Sequence, residues 1–157
     1  MRLPAEKLNT RQRGAVLVEM VLVTPILLFI MLATAEVTRA FIDHNTLTKA
    51  VRNGARYAAI HENSTEGTTG LVVITAAVQA ETKNLVVYGN TAGVGTPVLV
   101  GLTTADITVT DIGANNILVS ASHPISGMLG PVLSSFGAGA DVNLVHNLQA
   151  TVTMRAL

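Results

Sequence analysis

The chain of 157 residues contains no cysteine and no tryptophan; aromatic residues make up 3% of it and charged residues 13%. The absence of cysteine excludes disulfide scaffolds, thiolate zinc sites and cysteine nucleophiles together. A charged fraction about half that of an ordinary soluble domain argues against a disordered chain and against a nucleic-acid-binding one. Ten basic residues balance ten acidic ones, and 49% of the chain is hydrophobic. Where that apolar excess lies decides the rest of the reading.

Much of it lies in one run. Ala15 to Ala35 is 21 residues long with a single charge, Glu19. As a helix, such a run spans about 31 Å, the thickness of a bilayer's hydrocarbon core. It is too long for the core of an ordinary secretory signal, and no small-x-small cleavage site closes its far end. The residues before it form a polar, basic leader, Met1 to Gly14, with Arg2, Lys7, Arg11 and Arg13 against Glu6. Arg39, Lys49 and Arg52 follow the run, so the balance of positive charge favours a cytoplasmic N-terminus by a small margin. From Asn84 onward only Asp106, Asp111, Asp141 and Arg155 are charged, and this part is read as extracytoplasmic.

The helical pattern continues past the apolar run to about Ile60. Val37, Ala40, Phe41, His44, Leu47, Val51, Gly54 and Ala58 recur at three- and four-residue steps, a narrow stripe rich in small residues that permits close approach by another helix. Two charge rows share the spacing i, i+3, i+7: Glu36, Arg39, Asp43 and Lys49, Arg52, Arg56. Such rows usually mark a solvated helix face with small pairing energies; the second also suits anionic headgroups or an acidic partner. Pro25 is expected to bend the helix, because it removes one backbone hydrogen bond and crowds the preceding turn.

The polar stretch Asn63 to Gly70 reads as a loop, followed by a second helix over about Leu71 to Val87 with Val73, Ala76, Ala77, Ala80 and Asn84 on one side and Gly89 as its stop. Alternating apolar residues then predict strands over Thr104 to Asp111, Ile117 to Ser122 and Leu148 to Arg155, with a turn at Gly113-Ala114-Asn115-Asn116. Pro97 to Leu102 is a further strand candidate. His123 to Ala140 is apolar, rich in glycine and proline, and without a clean period. The expected fold class is α+β: a long N-terminal helix, a second helix and a small antiparallel sheet. The expected division is a leader (1–14), a membrane helix continuing as an amphipathic one (15–60) and a small extracytoplasmic domain (61–157).

Glu19 is the most informative residue, since a carboxylate within a membrane segment is costly unless paired and marks function by default. It is the fifth residue after Gly14, and a basic leader precedes both. This pattern resembles the processing site of type IV prepilins and pseudopilins. The resemblance implies cleavage between Gly14 and Ala15 by a prepilin peptidase, with Ala15 as the mature N-terminus. In an assembled filament the Glu19 carboxylate would pair with the free amine of Ala15 on a neighbouring subunit, giving each buried charge a partner. Gly14, Glu19, Pro25, Glu36 and the run Ala50-Val51-Arg52-Asn53-Gly54-Ala55-Arg56-Tyr57-Ala58 together resemble the N-terminal region of TadE-like proteins, minor pilins or pseudopilins of tight-adherence (Flp-type) pilus systems. One position departs: Met20 stands where that family tends to carry an aromatic residue. The resemblance implies a single-pass inner-membrane protein that assembles into or primes a pilus for surface attachment. Its implied partners are the prepilin peptidase, sister minor pilins, the major pilin, and the inner-membrane platform with its assembly ATPase.

The remaining chemistry is sparse. The four histidines, His44, His61, His123 and His146, form no H-x-H or H-x-x-x-H pair, so no metal site is expected. Gly93-Val94-Gly95 and Gly137-Ala138-Gly139 lack the strand–turn–helix context of a phosphate loop and read as turns. Asn63-Ser64-Thr65 fits the N-glycosylation pattern, which a polar loop also offers by chance. No nucleophile elbow and no Ser–His–Asp order is present. Catalytic residues, cofactors and nucleic acid are not expected. The rivals are a major filament-forming subunit, for which His123 to Ala140 would be an interface, and an uncleaved single-span protein whose outer domain binds another envelope protein.

Overall fold

The computed structural model describes residues 10–61, 63–64, 72–127, 130, 132–133, 139–143 and 145–156. Most of the leader, and most of the Asn63 to Gly70 and Ser134 to Ala140 stretches, therefore lie outside the described residues. The elements in order are helix α1 (Thr10–Ile60), strands β1 (Asn63–Ser64) and β2 (Val72–Val73), helix α2 (Ala76–Tyr88), a single 3-10 turn (Thr104–Asp106), and strands β3 (Ile107–Asp111), β4 (Asn116–Ile125), β5 (Val132–Leu133), β6 (Val142–Asn143) and β7 (His146–Arg155). This is the α+β arrangement expected: a long apolar helix, a second helix and a three-stranded antiparallel sheet in the order β3-β4-β7. Two compact units divide the chain, one ending at Arg39 and the other running from Ala40. The second half of α1 thus belongs with α2 and the sheet.

Alternation in the strands sets the sheet's two faces. Ile107 and Val109 of β3 pair with Ala121 and Val119 of β4. Those two β4 residues in turn pair with Ala150 and Val152 of β7. All are buried except Val152, which is half-buried. The threonines between them, Thr108, Thr110, Thr151 and Thr153, are exposed or point to the opposite face, as the period of two requires. The turn predicted between β3 and β4 is present. Ala114 and Asn115 adopt φ of 52° and 58°, the conformation of a tight hairpin turn whose twist matches the flanking strands.

Three elements differ from expectation. The second helix begins at Ala76 rather than Leu71, because Val72 and Val73 are taken by β2, which pairs with Asn63 and Ser64. Thr75 then caps the helix, its hydroxyl accepting from the Val78 N–H at 3.3 Å. Its inward face is also different. Val78, Thr82, Val86 and Val87 are buried while Ala76, Ala77 and Ala80 are exposed. The larger side chains took the core and the alanines, which gain little by burial, were left outside. Gly89 ends the helix at φ 74°, with its N–H donating to the Leu85 carbonyl. Pro97 to Leu102 forms no strand; Leu99 and Leu102 drop into the core as loop residues. Residues 104–106 form the 3-10 turn, so β3 starts only at Ile107.

Within the unit from Ala40 onward, α1 packs on α2 through its small residues. Leu47, Val51, Ala55 and Ala58 are fully buried and join Val86, Val87, Leu102, Ile107 and Ile117 in one core. At Gly54 the fit is closest: a Cβ built there would lie 2.4 Å from Cγ2 of Val86 and 3.5 Å from Cγ2 of Thr82. The N-terminal part of the predicted stripe does not bury. Val37, Phe41 and His44 are exposed, and Ala40 is half-buried.

Candidate membrane and assembly segment

Gly14, Ala15, Glu19 and Pro25 all lie on α1, within the unit that ends at Arg39. Every residue from Gly14 to Ala35 is exposed, including Val16, Leu17, Val21, Leu22, Leu28, Phe29 and Met31. Apolar side chains of this size, left outside any core over six turns, need an apolar surrounding. The helix that carries them is long and apolar enough to cross a membrane, and none of the apolar window is buried. Apart from the Val21 carbonyl opposite Pro25, helical pairing satisfies its backbone groups internally, the condition for residence in lipid. The hydroxyls of Thr34 and Thr38 donate to the carbonyls of Ile30 and Thr34, each at 2.8 Å, so these polar side chains are satisfied within the helix as well.

Gly14 sits in open space, with nothing within 4 Å of where a Cβ would project. Among the described residues, no packing demand requires a glycine there. Glu19 is exposed and forms no ion pair among the described residues. Pro25 lies inside the continuous helix and leaves the Val21 carbonyl without its usual N–H donor. Glu36 is half-buried and, like Arg39 and Asp43, already interacts within the chain. The basic row behaves differently: Lys49, Arg52 and Arg56 are all exposed.

Two polar clusters were not legible in the sequence, because each joins residues far apart in the chain. Tyr57 of α1 donates its hydroxyl proton to Oε2 of Glu81 on α2 at 2.7 Å. That hydrogen bond, together with burial and the carboxylate's charge, raises the phenol's pKa above its ordinary value. The Tyr57 ring also stacks on His61 with centroids 4.1 Å apart. The second cluster surrounds His123 on β4, which is buried. Its Nε2 lies 3.1 Å from the Val100 carbonyl and must donate, since a carbonyl only accepts. Its Nδ1 lies 3.5 Å from Oδ2 of Asp106. That same oxygen accepts from the Thr103 N–H at 2.8 Å and hydroxyl at 3.0 Å. Burial pushes the Asp106 carboxyl up, but the Thr103 hydrogen bonds and the neighbouring imidazole outweigh it and lower its pKa. The cluster ties the loop after α2 to the sheet. Among the described residues, no group of three or more His, Asp or Glu is placed to hold a metal ion.

Residues 14–56 match the family model of TadE-like proteins. This is a TadE-like segment. The match begins at Gly14, the glycine of the processing pattern, and ends within the run that packs on α2. It therefore covers both the exposed apolar half of α1 and most of the half that is buried. It associates the protein with the machinery of tight-adherence pili. No match was found among curated proteins or among solved structures.

Proposed function

We propose that this chain is a TadE-like minor pilin or pseudopilin that assembles into, or primes, a tight-adherence pilus for surface attachment, with no enzymatic activity of its own. The observation that carries the reading is the pairing of a TadE-like match that starts at Gly14 with a fully exposed apolar helix holding one carboxylate. Lipid accounts for the apolar surface, and assembly accounts for the charge. The leader stays in the cytoplasm, the prepilin peptidase cuts between Gly14 and Ala15, and Ala15 to Ala35 holds the protein in the inner membrane with the rest outside. Cleavage leaves a free amine on Ala15, four residues before Glu19 on the same helix. The separation is one helical turn, so in a neighbouring copy shifted by a turn the amine meets the carboxylate. Each charge then leaves the membrane face as half of a pair rather than alone. The sister minor pilin, the major pilin and the platform with its ATPase are the partners this reading calls for.

Glu19→Gln tests it. The variant should insert and be processed like the parent, yet be depleted from sheared pili. Piliation and incorporation at parental levels would remove the proposed role of Glu19.

A further inference from the structure

The two ring nitrogens of His123 face groups that only accept. Nε2 lies 3.1 Å from the Val100 carbonyl, and Nδ1 lies 3.5 Å from Oδ2 of Asp106. The ring is buried, and Nδ1 has no hydrogen-bond partner among the described residues. A neutral imidazole carries a single N–H. Used on Val100, it leaves a buried lone pair on Nδ1 against a carboxylate, which costs free energy on both sides. A second proton, on Nδ1, turns that clash into an ion pair and lets each nitrogen donate. Asp106 supplies the matching charge. The Thr103 N–H and hydroxyl hold the same oxygen, and the lowered pKa keeps the carboxylate ionised down to below about pH 4.

What the ring fastens is the loop between α2 and the 3-10 turn. A Cβ built on Gly101 would lie 3.5 Å from Cε1 of His123, so the loop backbone runs directly over the ring. Leu99 and Leu102 are buried on either side of Val100, while Val98 and Val100 stand exposed. We infer that a proton on Nδ1 of His123 latches the loop from Val98 to Thr103 onto the sheet, so that this face of the unit tightens in mildly acidic surroundings and loosens as the pH rises.

The other titratable groups leave His123 to Asp106. The loop from Gly89 to Thr103 has no charged residue. On β7, Leu148 stands opposite His123, and His146 lies two positions along on the same side, exposed. Arg155 of β7 and Asp111 of β3 pair near the opposite end of β4, with Asn116 and Ile117. Helix α2 carries Lys83, Tyr88 and Glu81, the last accepting from Tyr57. Among the described residues none of these forms an ion pair or hydrogen bond with His123. The sign follows. The latch needs His123 charged and Asp106 ionised, so it holds above the titration of Asp106 and is released as His123 gives up its proton.

Hydrogen exchange of the full-length protein in detergent tests this. It is followed by NMR at about pH 5.5 and about pH 8, on either side of the ordinary histidine value of about 6.5, and corrected for the intrinsic rate at each pH. The N–H groups of Leu102 and Thr103, which donate to the Leu99 carbonyl and to Asp106, should be several-fold better protected at the lower pH. The nitrogen spectrum of the His123 ring should show both nitrogens protonated there, a readout that needs no variant. His123→Gln should bring the protection at the lower pH down to that at the higher and erase the difference. His146→Gln, at the exposed neighbour, should leave the difference intact. A ring with one protonated nitrogen at the lower pH overturns the inference, as does protection that does not change with pH. So does a difference that survives His123→Gln. Protection lost to a chelator at constant pH also overturns it, because a cation rather than a proton would then lie between Nδ1 and Asp106.

Discussion

Gly14 and Gly54 lie on one helix and are both matched by the same family, yet their surroundings are opposite. A methyl group at Gly14 would meet nothing within 4 Å, whereas at Gly54 it would collide with Val86 at 2.4 Å. The same contrast holds for the residues around them. Large apolar side chains from Val16 to Leu32 are exposed, while Ala50, Val51, Ala55 and Ala58 are buried. Small residues on the second half of α1 thus serve the fold of the unit that runs from Ala40. From Leu47 onward the stripe read as a seat for another helix is occupied within the same chain, with Gly54 against Val86 of α2. What remains on the surface is the apolar half and the exposed charges. Packing demands the glycine at position 54, whereas among the described residues nothing demands one at position 14.

Matched substitutions should separate the two halves. The largest difference is expected between Leu47→Ala and Leu28→Ala. Leu47 is fully buried and Leu28 is 55% exposed, so the first should destabilise the unit that runs from Ala40 by about 2–5 kcal/mol and the second should leave its thermal midpoint unchanged. Thermal denaturation of detergent-solubilised protein, followed by circular dichroism, makes that comparison. An equal effect of both would show that the apolar half is part of the same core. Gly54→Ala comes next, with an expected cost of about 1–3 kcal/mol from overpacking against a short, branched side chain that cannot swing away. Gly14→Ala should cost no stability, since alanine favours a helix over glycine by about 1 kcal/mol, while abolishing cleavage. A parental midpoint for Gly54→Ala would mean that α2 does not press on α1 as described.

The smallest effect concerns the His123–Asp106 cluster of the unit that runs from Ala40. The folded-state pKa of Asp106 is lowered, so its contribution to stability is complete above the unfolded carboxylate's value. That contribution is lost as the pH falls through the lower folded value, a window below about pH 4. Asp106→Asn should cost about 1 kcal/mol at neutral pH through the weakened Thr103 hydrogen bonds. It should also flatten the acid limb of a stability–pH profile. An unaltered limb would place the acid sensitivity elsewhere.

The parts of this fold governed by short-range pattern were readable in advance. The apolar run Ala15 to Ala35, the alternation in β3, β4 and β7, and the turn at Gly113 to Asn116 each depend on neighbours in sequence. The inward face of α2 was not readable, because its alternatives differ only in what lies across from them: Ala76 and Ala80 match a helical period as well as Val78 and Thr82 do. Val72 and Val73 likewise suit a helix until β1 offers them a pairing partner. Leu99 and Leu102 resemble a strand but are drawn to the core singly, and the His123–Asp106–Val100 and Tyr57–Glu81 contacts join segments with no local signal. For the candidate site the balance is reversed. Gly14 and Glu19 are legible in sequence because they belong to a local pattern, and among the described residues no contact demands a glycine at position 14.

The central claim is that Gly14 and Ala15 flank a cleaved bond and that Ala15 to Ala35 is the mature N-terminal segment. N-terminal sequencing of the protein from its native membranes and from sheared pili tests it most directly. The account predicts Ala15 as the first residue in both fractions, with the leader's four basic residues and Glu6 gone and six basic against nine acidic side chains left. Protein beginning at Met1 in the membrane fraction and missing from the pili would contradict it and favour an uncleaved single-span protein.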